Sequence, residues 1–279
     1  MKKIYLLMML LATVFVACSD DDEKDNGTPW EIKMTIEVEE NGTQFSASLT
    51  DKNGKTIATE TIVDWGNGDT DANREYLEHY YNAGTYSITI KGKGEIGLNI
   101  TNQNIITALD VTKCPTLVHL SCNSNQLTSL DISKCTKLYR LECNDNQLTS
   151  LEVSKCIELN YLDCCSNNLT SLNASKCQKL IDLRCHNNQL TLLNINECTK
   201  LVRLYCDNNQ LVSLDITACS NLHNLVCGDN HFNDDAMNSI YNNLPSKSGK
   251  DKGTITLYKD NAKGDITIAQ NKYWTVNVE

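Results

Sequence analysis

The chain has 279 residues, 41% of them hydrophobic, and a formal net charge of −10. Neutralising nucleic-acid phosphates requires a basic face, so this charge argues against a nucleic-acid partner. Fourteen cysteines stand beside only three prolines and three phenylalanines. In an exported protein such a cysteine count first suggests a disulfide framework, which makes the spacing of the cysteines the feature to examine.

The N-terminus has the residue order of a secretory signal. Two lysines precede a mostly apolar run, residues 4–17, which is too short to remain as a membrane-spanning helix. Residues 15–18, Phe-Val-Ala-Cys, resemble the lipobox of bacterial lipoproteins, with Phe15 where leucine is usual. The resemblance implies a signal peptide at 1–17, acylation of Cys18 and a membrane anchor there. An ordinary cleaved signal with an incidental cysteine is the alternative.

Residues 18–29 are predicted to be an acidic tether behind this cysteine. The run Ser-Asp-Asp-Asp-Glu-Lys-Asp at 19–25 has no apolar residue, which is typical of a disordered segment. The run also resembles the surface-export signal of Bacteroidetes-type lipoproteins. That resemblance implies an outer-membrane lipoprotein exposed at the cell surface, whereas a solvated spacer is the simpler alternative.

Residues 30–94 are predicted to form a small β-sandwich. Polar and apolar residues alternate over 31–38, and glycines mark turns. Residues 63–70, Val-Asp-Trp-Gly-Asn-Gly-Asp-Thr, and the strand-like text at 78–90 resemble the PKD-type immunoglobulin-like domain. Such a domain would act as a rigid spacer and cover the edge of the following repeats. Because the first acid precedes the tryptophan, turn formation is favoured over calcium binding for Asp64 and Asp69.

Cysteines recur at a period of 21 residues through the middle of the chain. Five complete copies span 117–221, a sixth begins at 222 and breaks after Phe232, and a weaker copy at 101–111 precedes them. Each copy resembles the leucine-rich repeat, with cysteine in place of the third leucine. A leucine-rich-repeat solenoid is therefore predicted over 95–232. The two cysteine series are Cys114, Cys135, Cys156, Cys177, Cys198 and Cys219, and Cys122, Cys143, Cys164, Cys185, Cys206 and Cys227.

Each repeated position of the unit has a structural role that explains its residue type. On a short parallel strand, side chains alternate, so Leu120 and Cys122 are predicted to point inward while His119 and Ser121 point to a concave face. In this family the asparagine that follows each strand forms a ladder with backbone groups of neighbouring turns, which pairs buried polar groups. The predicted ladder residues are Asn125, Asn146, Asn167, Asn188, Asn209 and Asn230.

The cysteines of both series are predicted to be reduced and buried, and to pack as small apolar residues. Equivalent Cα atoms on adjacent turns lie close enough for a disulfide, but parallel side chains hold the Cβ atoms too far apart. A disulfide network and a metal site are the less favoured alternatives, since the spacings do not match the short pairs of zinc sites. Cys165 belongs to neither series, and it is predicted to be the accessible thiol on the concave side.

Residues 233–279 are predicted to form a C-terminal cap of helix and strand. A helix is expected over 236–244, started by Asn-Asp-Asp and ended by Pro245, and a strand over 254–258. Residues 266–276 resemble the ending of bacterial repeat lipoproteins, which places Trp274 at the end of the solenoid. The fold class is thus mostly β, of α+β type: a sandwich, a solenoid and this cap.

No catalytic motif is present, and the five histidines are scattered. We therefore expect no enzyme, no cofactor and no metal. What differs from copy to copy is the concave face, where arginine and tyrosine, common at binding hot spots, stand on neighbouring strands. The alternative is that these residues are solvated strand positions with no role in binding. The candidate binding residues are His119, Arg140, Glu142, Tyr161, Asp163, Asp182, Arg184, Arg203 and Tyr205.

The sequence as a whole predicts a surface-anchored binding module, with protein recognition through the concave face as the leading function. The partner would be a protein of a host or a neighbouring cell. Two alternatives from other classes stay open at this point. One is a glycan-binding accessory lipoprotein of a polysaccharide-uptake system, and the other is a structural adhesin stalk.

Overall fold

A computed structural model describes residues 27–51, 55–56, 60–74, 76–249, 251–258 and 264–278. The signal peptide, Cys18 and tether residues 19–26 lie outside the described residues. The described chain is mostly β, with a two-sheet N-terminal unit, a solenoid and a C-terminal cap that contains two helices. Within these ranges, no helix is long and apolar enough to cross a membrane.

Strands β1 to β8 begin the fold. Strands β1 and β6 pair antiparallel, from Pro29 opposite Lys93 to Val38 opposite Gly84. The predicted alternation holds for β1, because every second residue is buried. One sheet has the order β4-β3-β6-β1-β8, and β5, β2 and β7 belong to a second sheet. The strands are β1 (Pro29–Val38), β2 (Thr43–Thr50), β3 (Ile62–Asp64), β4 (Thr70–Ala72), β5 (Tyr76–Tyr81), β6 (Gly84–Lys93), β7 (Ile96–Asn99) and β8 (Ile106–Lys113).

Aromatic side chains hold the turn at 64–69 against the core of this unit. The Trp65 ring is buried and meets Phe45 edge-on, with ring centroids 6.2 Å apart. Tyr81, also buried, donates its hydroxyl to the Trp65 carbonyl at 2.9 Å, which satisfies its polar end. Asp64 Oδ1 accepts a hydrogen bond from the Gly66 backbone at 2.9 Å, so the predicted turn-forming role of Asp64 is confirmed.

The solenoid forms from parallel strands whose partners are 21 residues apart. Leu141 pairs with Leu162, for example, and Leu162 with Leu183. This register stacks the same repeat slot on every turn, so the leucines and cysteines of the inner slots form one continuous buried core. Strands β9 (Leu117–Ser121), β10 (Arg140–Glu142), β11 (Tyr161–Asp163), β13 (Asp182–Arg184), β15 (Arg203–Tyr205) and β16 (Asn224–Val226) line one side, and β12 (Ser171–Asn173) and β14 (Leu192–Asn194) lie opposite.

Strands β7 and β8 join the sandwich to the solenoid. Strand β7 pairs in parallel with β9, with Leu98 opposite Leu120, and antiparallel with β2. Strand β8 pairs with β1, with Leu109 opposite Met34. Residue 94 lies between β6 of the first sheet and β7 of the second, and β7 pairs with strands on both sides of the predicted division. The repeats and one layer of the sandwich share an eleven-stranded sheet.

The predicted asparagine ladder is confirmed. Asn146 donates through Nδ2 to the carbonyl of Cys122 in the preceding turn at 3.0 Å and to Cys143 at 3.2 Å. Its Oδ1 accepts from the backbone of Leu127 at 3.0 Å. Asn167, Asn188, Asn209 and Asn230 repeat this pattern. With a further bond from Nδ2 to the carbonyl two residues before it, each side chain ties four backbone groups across two turns.

The residue before each ladder asparagine has a left-handed backbone conformation, a feature that was not predicted from the sequence. These φ angles lie between 45° and 53°. Small polar residues tolerate this region better than branched or bulky ones. The six positions are all serine, asparagine or aspartate, namely Ser124, Asp145, Ser166, Asn187, Asn208 and Asp229.

Asn167→Ala is expected to lower the free energy of unfolding by about 2–4 kcal/mol. The change leaves the buried Leu148 amide without its acceptor and removes one of the two ladder hydrogen bonds to each of the carbonyls of Cys143 and Cys164. Urea denaturation measures the loss. The matched control is Asn168→Ala, the exposed neighbour, which should change stability by less than about 0.5 kcal/mol. Equal losses in the two variants would show that the ladder does not hold the turns together.

The C-terminal cap continues the sheet. It contains α1 (Asp234–Asn243), β17 (Gly253–Leu257), α2 (Thr267–Asn271) and β18 (Trp274–Val278). Helix α1 begins two residues before the predicted start because Asn233 caps it, accepting from the Ala236 amide at 2.8 Å. Trp274 is buried in the last strand and donates Nε1 to the Pro245 carbonyl at 2.8 Å. The sheet order is β18-β17-β16-β15-β13-β11-β10-β9-β7-β2-β5.

Candidate binding face

The parallel register arranges the candidate binding residues in two adjacent columns. We keep the name concave face for the outward-pointing residues of β9, β10, β11, β13, β15 and β16. One column contains His119, Arg140, Tyr161, Asp182 and Arg203, and the other contains Glu142, Asp163, Arg184 and Tyr205. All nine candidates therefore lie on one face of one sheet.

Arginines and tyrosines alternate in contact along this face. The Arg140 guanidinium lies over the Tyr161 ring, 3.8 Å from its centroid. Arg184 stands between two rings, 5.5 Å from the centroid of Tyr161 and 5.3 Å from that of Tyr205. Cation–π contacts of this kind hold both partners in fixed orientations. Arg140, Tyr161, Arg184 and Tyr205 form what we call the Arg–Tyr stack.

Asp182 fixes two arginines from below the surface. Its carboxylate accepts from Arg203 Nε at 2.6 Å and from Arg184 Nε at 3.3 Å, and its side chain is only 3% exposed. Both guanidinium groups remain partly exposed. A buried carboxylate needs such partners, because an unpaired buried charge is costly. Asp182 therefore positions Arg184 and Arg203 rather than offering its own oxygens to a partner.

Glu142 forms a second ionic group at the other end of the face. It pairs with Arg140, and its Oε2 lies 3.6 Å from His119 Nε2. The nearby His119 ring, followed by Ser121 and the charge of Arg140, lowers the pKa of Glu142 to about 2. The carboxylate is thus ionised at neutral pH and orients Arg140 over Tyr161.

Two of the three acidic candidates differ from the other candidates in being buried. Asp163 and Asp182 are buried, although the alternation along the strands predicts both at the surface of the binding face. Asp163 accepts from the backbone of Cys165 at 3.3 Å and lies 3.5 Å from the Tyr161 hydroxyl, so it holds the strand end and the ring. The sequence pattern locates the column but does not reveal that short side chains lie beneath longer neighbours.

The ladder cysteines are buried free thiols, as predicted. Several donate to carbonyls of adjacent turns: Cys122 Sγ lies 3.5 Å from the Glu142 oxygen and Cys198 Sγ lies 3.3 Å from the Ala174 oxygen. Burial raises the pKa of the Cys122 and Cys198 thiols to about 12. They therefore serve as small packing residues with a weak donor.

The prediction that Cys165 is the accessible thiol is wrong. Only 8% of the Cys165 surface is exposed to solvent. Strand β11 ends at Asp163, so the alternation along the strand does not extend to Cys165, whose amide donates to Asp163 Oδ1. Burial, reinforced by the Asp163 charge, raises the pKa of the thiol to about 12. Cys165 is thus shielded and protonated at neutral pH.

Thiol labelling tests the state of these cysteines. Because the thiolate is the reactive form, a small alkylating reagent at pH 7.5 should leave all thirteen cysteines from Cys114 to Cys227 unmodified in the native chain. Denaturant should expose all of them, and mass spectrometry counts the additions. Rapid native labelling at Cys165 would refute its burial, and fewer additions after unfolding without reductant would reveal disulfides.

Cys165, His186 and Asp207 occupy equivalent positions on three successive turns, a row that was not predicted from the sequence. Ser166 and Asn187 donate to the carbonyls of His186 and Asp207, which confirms the equivalence. Burial raises the pKa of Asp207, whose Oδ2 lies 3.4 Å from the Tyr258 hydroxyl. In the part of the chain that the structure describes, no group of three or more His, Cys, Asp and Glu side chains is arranged to hold a metal ion.

Comparison with known families identifies the repeats. A family model described as Leucine Rich repeats (2 copies) matches residues 115–156. These residues are thus two leucine-rich repeats, and the same 21-residue register continues beyond them through β13, β15 and β16. No curated protein matches the sequence significantly.

Solved structures similar to the chain come from bacteria and a plant. The functional domain of InlJ from Listeria monocytogenes, which includes a cysteine ladder, is 24% identical over 66% of this chain and 53% of that chain, with a TM-score of 0.38. A leucine-rich-repeat protein of Leptospira interrogans is 22% identical over 48% and 43%, with a TM-score of 0.36.

A third structure is the ectodomain of the receptor kinase GASSHO1/SCHENGEN3 from Arabidopsis thaliana, in complex with CASPARIAN STRIP INTEGRITY FACTOR 2. It is 19% identical over 52% of this chain and 19% of that chain, with a TM-score of 0.41. The chain therefore spans about half or less of the length of the three structures.

Proposed function

We propose that this chain is a surface-anchored module that recognises a protein of a host or a neighbouring cell through the concave face. The Arg–Tyr stack is the observation that carries the proposal. Tyrosine and arginine are the residue types over-represented at binding hot spots, and here they lie side by side on one rigid sheet. Leucine-rich repeats are commonly used for protein–protein interaction, which supports the same function.

Preorganisation makes the stack suited to binding. Immobilising a long side chain at an interface costs about 0.5–1.5 kcal/mol, and ion pairs to Asp182 and Glu142 already restrict three arginines before a partner arrives. The rings add broad contact area with few rotatable bonds. The charges largely cancel within the face, so the stack fits a partner surface of mixed polarity rather than a strongly acidic or basic one.

Tyr161→Ala combined with Arg184→Ala is expected to weaken partner binding by more than about 2 kcal/mol, the hot-spot range. The melting temperature should change little, because Asp182 keeps its ion pair with Arg203. A partner is first captured on the immobilised wild-type chain from host or neighbouring-cell extracts. The affinity for this partner and the melting temperature are then measured for the wild type and the double variant.

The matched control for this pair is Lys155→Ala combined with Lys176→Ala, two exposed residues on the opposite side of the solenoid. Binding of the captured protein to the control should match that of the wild type. Equal affinity losses in the two double variants would show that the partner does not use the concave face.

The anchor and the location are part of the same proposal. Acylation at Cys18 would attach the chain to the outer membrane, and the acidic residues behind it would direct the chain to the cell surface. Each buried methylene of an acyl chain contributes roughly 0.8 kcal/mol, so two or more chains give stable attachment. The PKD-like unit at 30–94 would then hold the repeats away from the membrane as a spacer.

Cys18→Ala is expected to abolish incorporation of a fatty-acid probe and to release or mislocalise the protein, because the acyl acceptor is lost. Metabolic labelling followed by fractionation measures both effects, with Ser19→Ala as the neighbouring control. A wild-type chain that takes up no probe would contradict the anchor. Protection of the wild type from external protease on whole cells, with cleavage after lysis, would contradict surface exposure.

A further inference from the structure

Two tyrosines project into solvent from the far edge of the eleven-stranded sheet. Tyr76 and Tyr80 are 59% and 64% exposed, and both lie on β5, the edge strand. Because side chains alternate along a strand, the two tyrosines share a face, whereas Leu77 and Tyr81 are buried on the other side. Four residues of strand separate the two rings by about 14 Å.

The side chains around these rings are polar and nearly uncharged. Gln44, Ser46 and Ser48 on β2 stand opposite Tyr80, Glu78 and Tyr76, and Asn99 on β7 stands opposite Ser48. We call this group the tyrosine platform: Gln44, Ser46, Ser48, Tyr76, Glu78, Tyr80 and Asn99. Glu78 is its single ionisable carboxylate in a chain of which 22% is charged. Hydroxyl and amide groups therefore surround two broad apolar rings.

We propose that the tyrosine platform binds a neutral glycan chain. Sugar rings offer flat C–H faces that pack on aromatic rings and a rim of hydroxyls that pair with serine, glutamine, asparagine and carboxylate groups. The platform has no aliphatic side chain to fill a protein pocket and only one charge to match an ionic partner. An uncharged polyhydroxylated chain is the ligand that this combination of groups complements.

The tyrosine platform lies on the same side of the eleven-stranded sheet as the concave face, since Asn99 stands opposite Ser121, but it is far from the Arg–Tyr stack. Five strand spacings separate β5 from β11, which places the platform about 24 Å from Tyr161. In the Arg–Tyr stack, Arg140 covers one face of the Tyr161 ring at 3.8 Å, so that face is closed to a sugar. The platform tyrosines are more than half exposed. The two surfaces therefore differ in chemistry as well as position.

Native affinity electrophoresis of the purified protein tests the proposal. Gels contain one neutral polysaccharide each, namely laminarin, xyloglucan or galactomannan, and a polygalacturonate gel supplies a charged comparison. We expect at least one neutral polysaccharide to retard the wild-type chain. Tyr76→Ala combined with Tyr80→Ala should lower that affinity at least about tenfold while leaving the melting temperature unchanged, because both rings are exposed.

Three further variants show whether glycan binding belongs to the tyrosine platform and not to another surface of the chain. Tyr76→Phe combined with Tyr80→Phe keeps the rings and should retain binding, and Tyr273→Ala, a 51% exposed tyrosine of the cap, should also bind as wild type does. Tyr161→Ala combined with Arg184→Ala should bind the glycan normally even if it loses its protein partner. The proposal is overturned if no neutral polysaccharide retards the chain, if only polygalacturonate does, if the Tyr76/Tyr80 alanine variant binds normally, or if the concave variant loses glycan binding.

Discussion

The structure depends on pairing the backbone groups that each solenoid turn buries. Each 21-residue turn pairs only some of its amides and carbonyls internally, and the others bond to adjacent turns or to a side chain within the core. The ladder asparagines meet this need, with each amide group linking two turns. The hydrogen bonds between neighbouring parallel strands, together with the ladder asparagines, set the pitch of the solenoid. Every other repeated feature, including the columns of the binding face, follows from that pitch.

The repeat and its chemistry could be predicted from the sequence because each slot has one physical role. A period of 21 residues specified the stacking, and the asparagines and buried cysteines followed from it. The alternation of β1 and the cap of helix α1 were predictable for the same reason, since local residue patterns determine them. The junction at β7 and β8 was not, because strand pairing between distant segments depends on tertiary contacts that no local pattern encodes.

The positions of the candidate binding residues could be predicted from the sequence, but their burial could not. Alternation along the strands identified the nine residues of the concave face, yet it could not show which were covered. Asp163 and Asp182 are short and lie beneath their arginine and tyrosine neighbours, while Cys165 lies beyond the end of its strand, where the alternation no longer applies. Such burial depends on the side chains of adjacent turns. The alternation of residues within one repeat therefore does not predict this burial. Aligning successive repeats would have revealed the row of Cys165, His186 and Asp207.

The two cysteine series require that the solenoid folds faster than its thiols are oxidised. Thirteen thiols are protected only after the turns have stacked, because the unfolded chain leaves them at ordinary pKa values and open to oxidants. Contacts between neighbouring turns join residues about 21 positions apart, so turn stacking requires only short loops to close, and loop closure takes far less than a millisecond. Disulfide formation takes seconds to hours. Short-range topology thus lets this thiol-rich chain complete its core before its cysteines are oxidised.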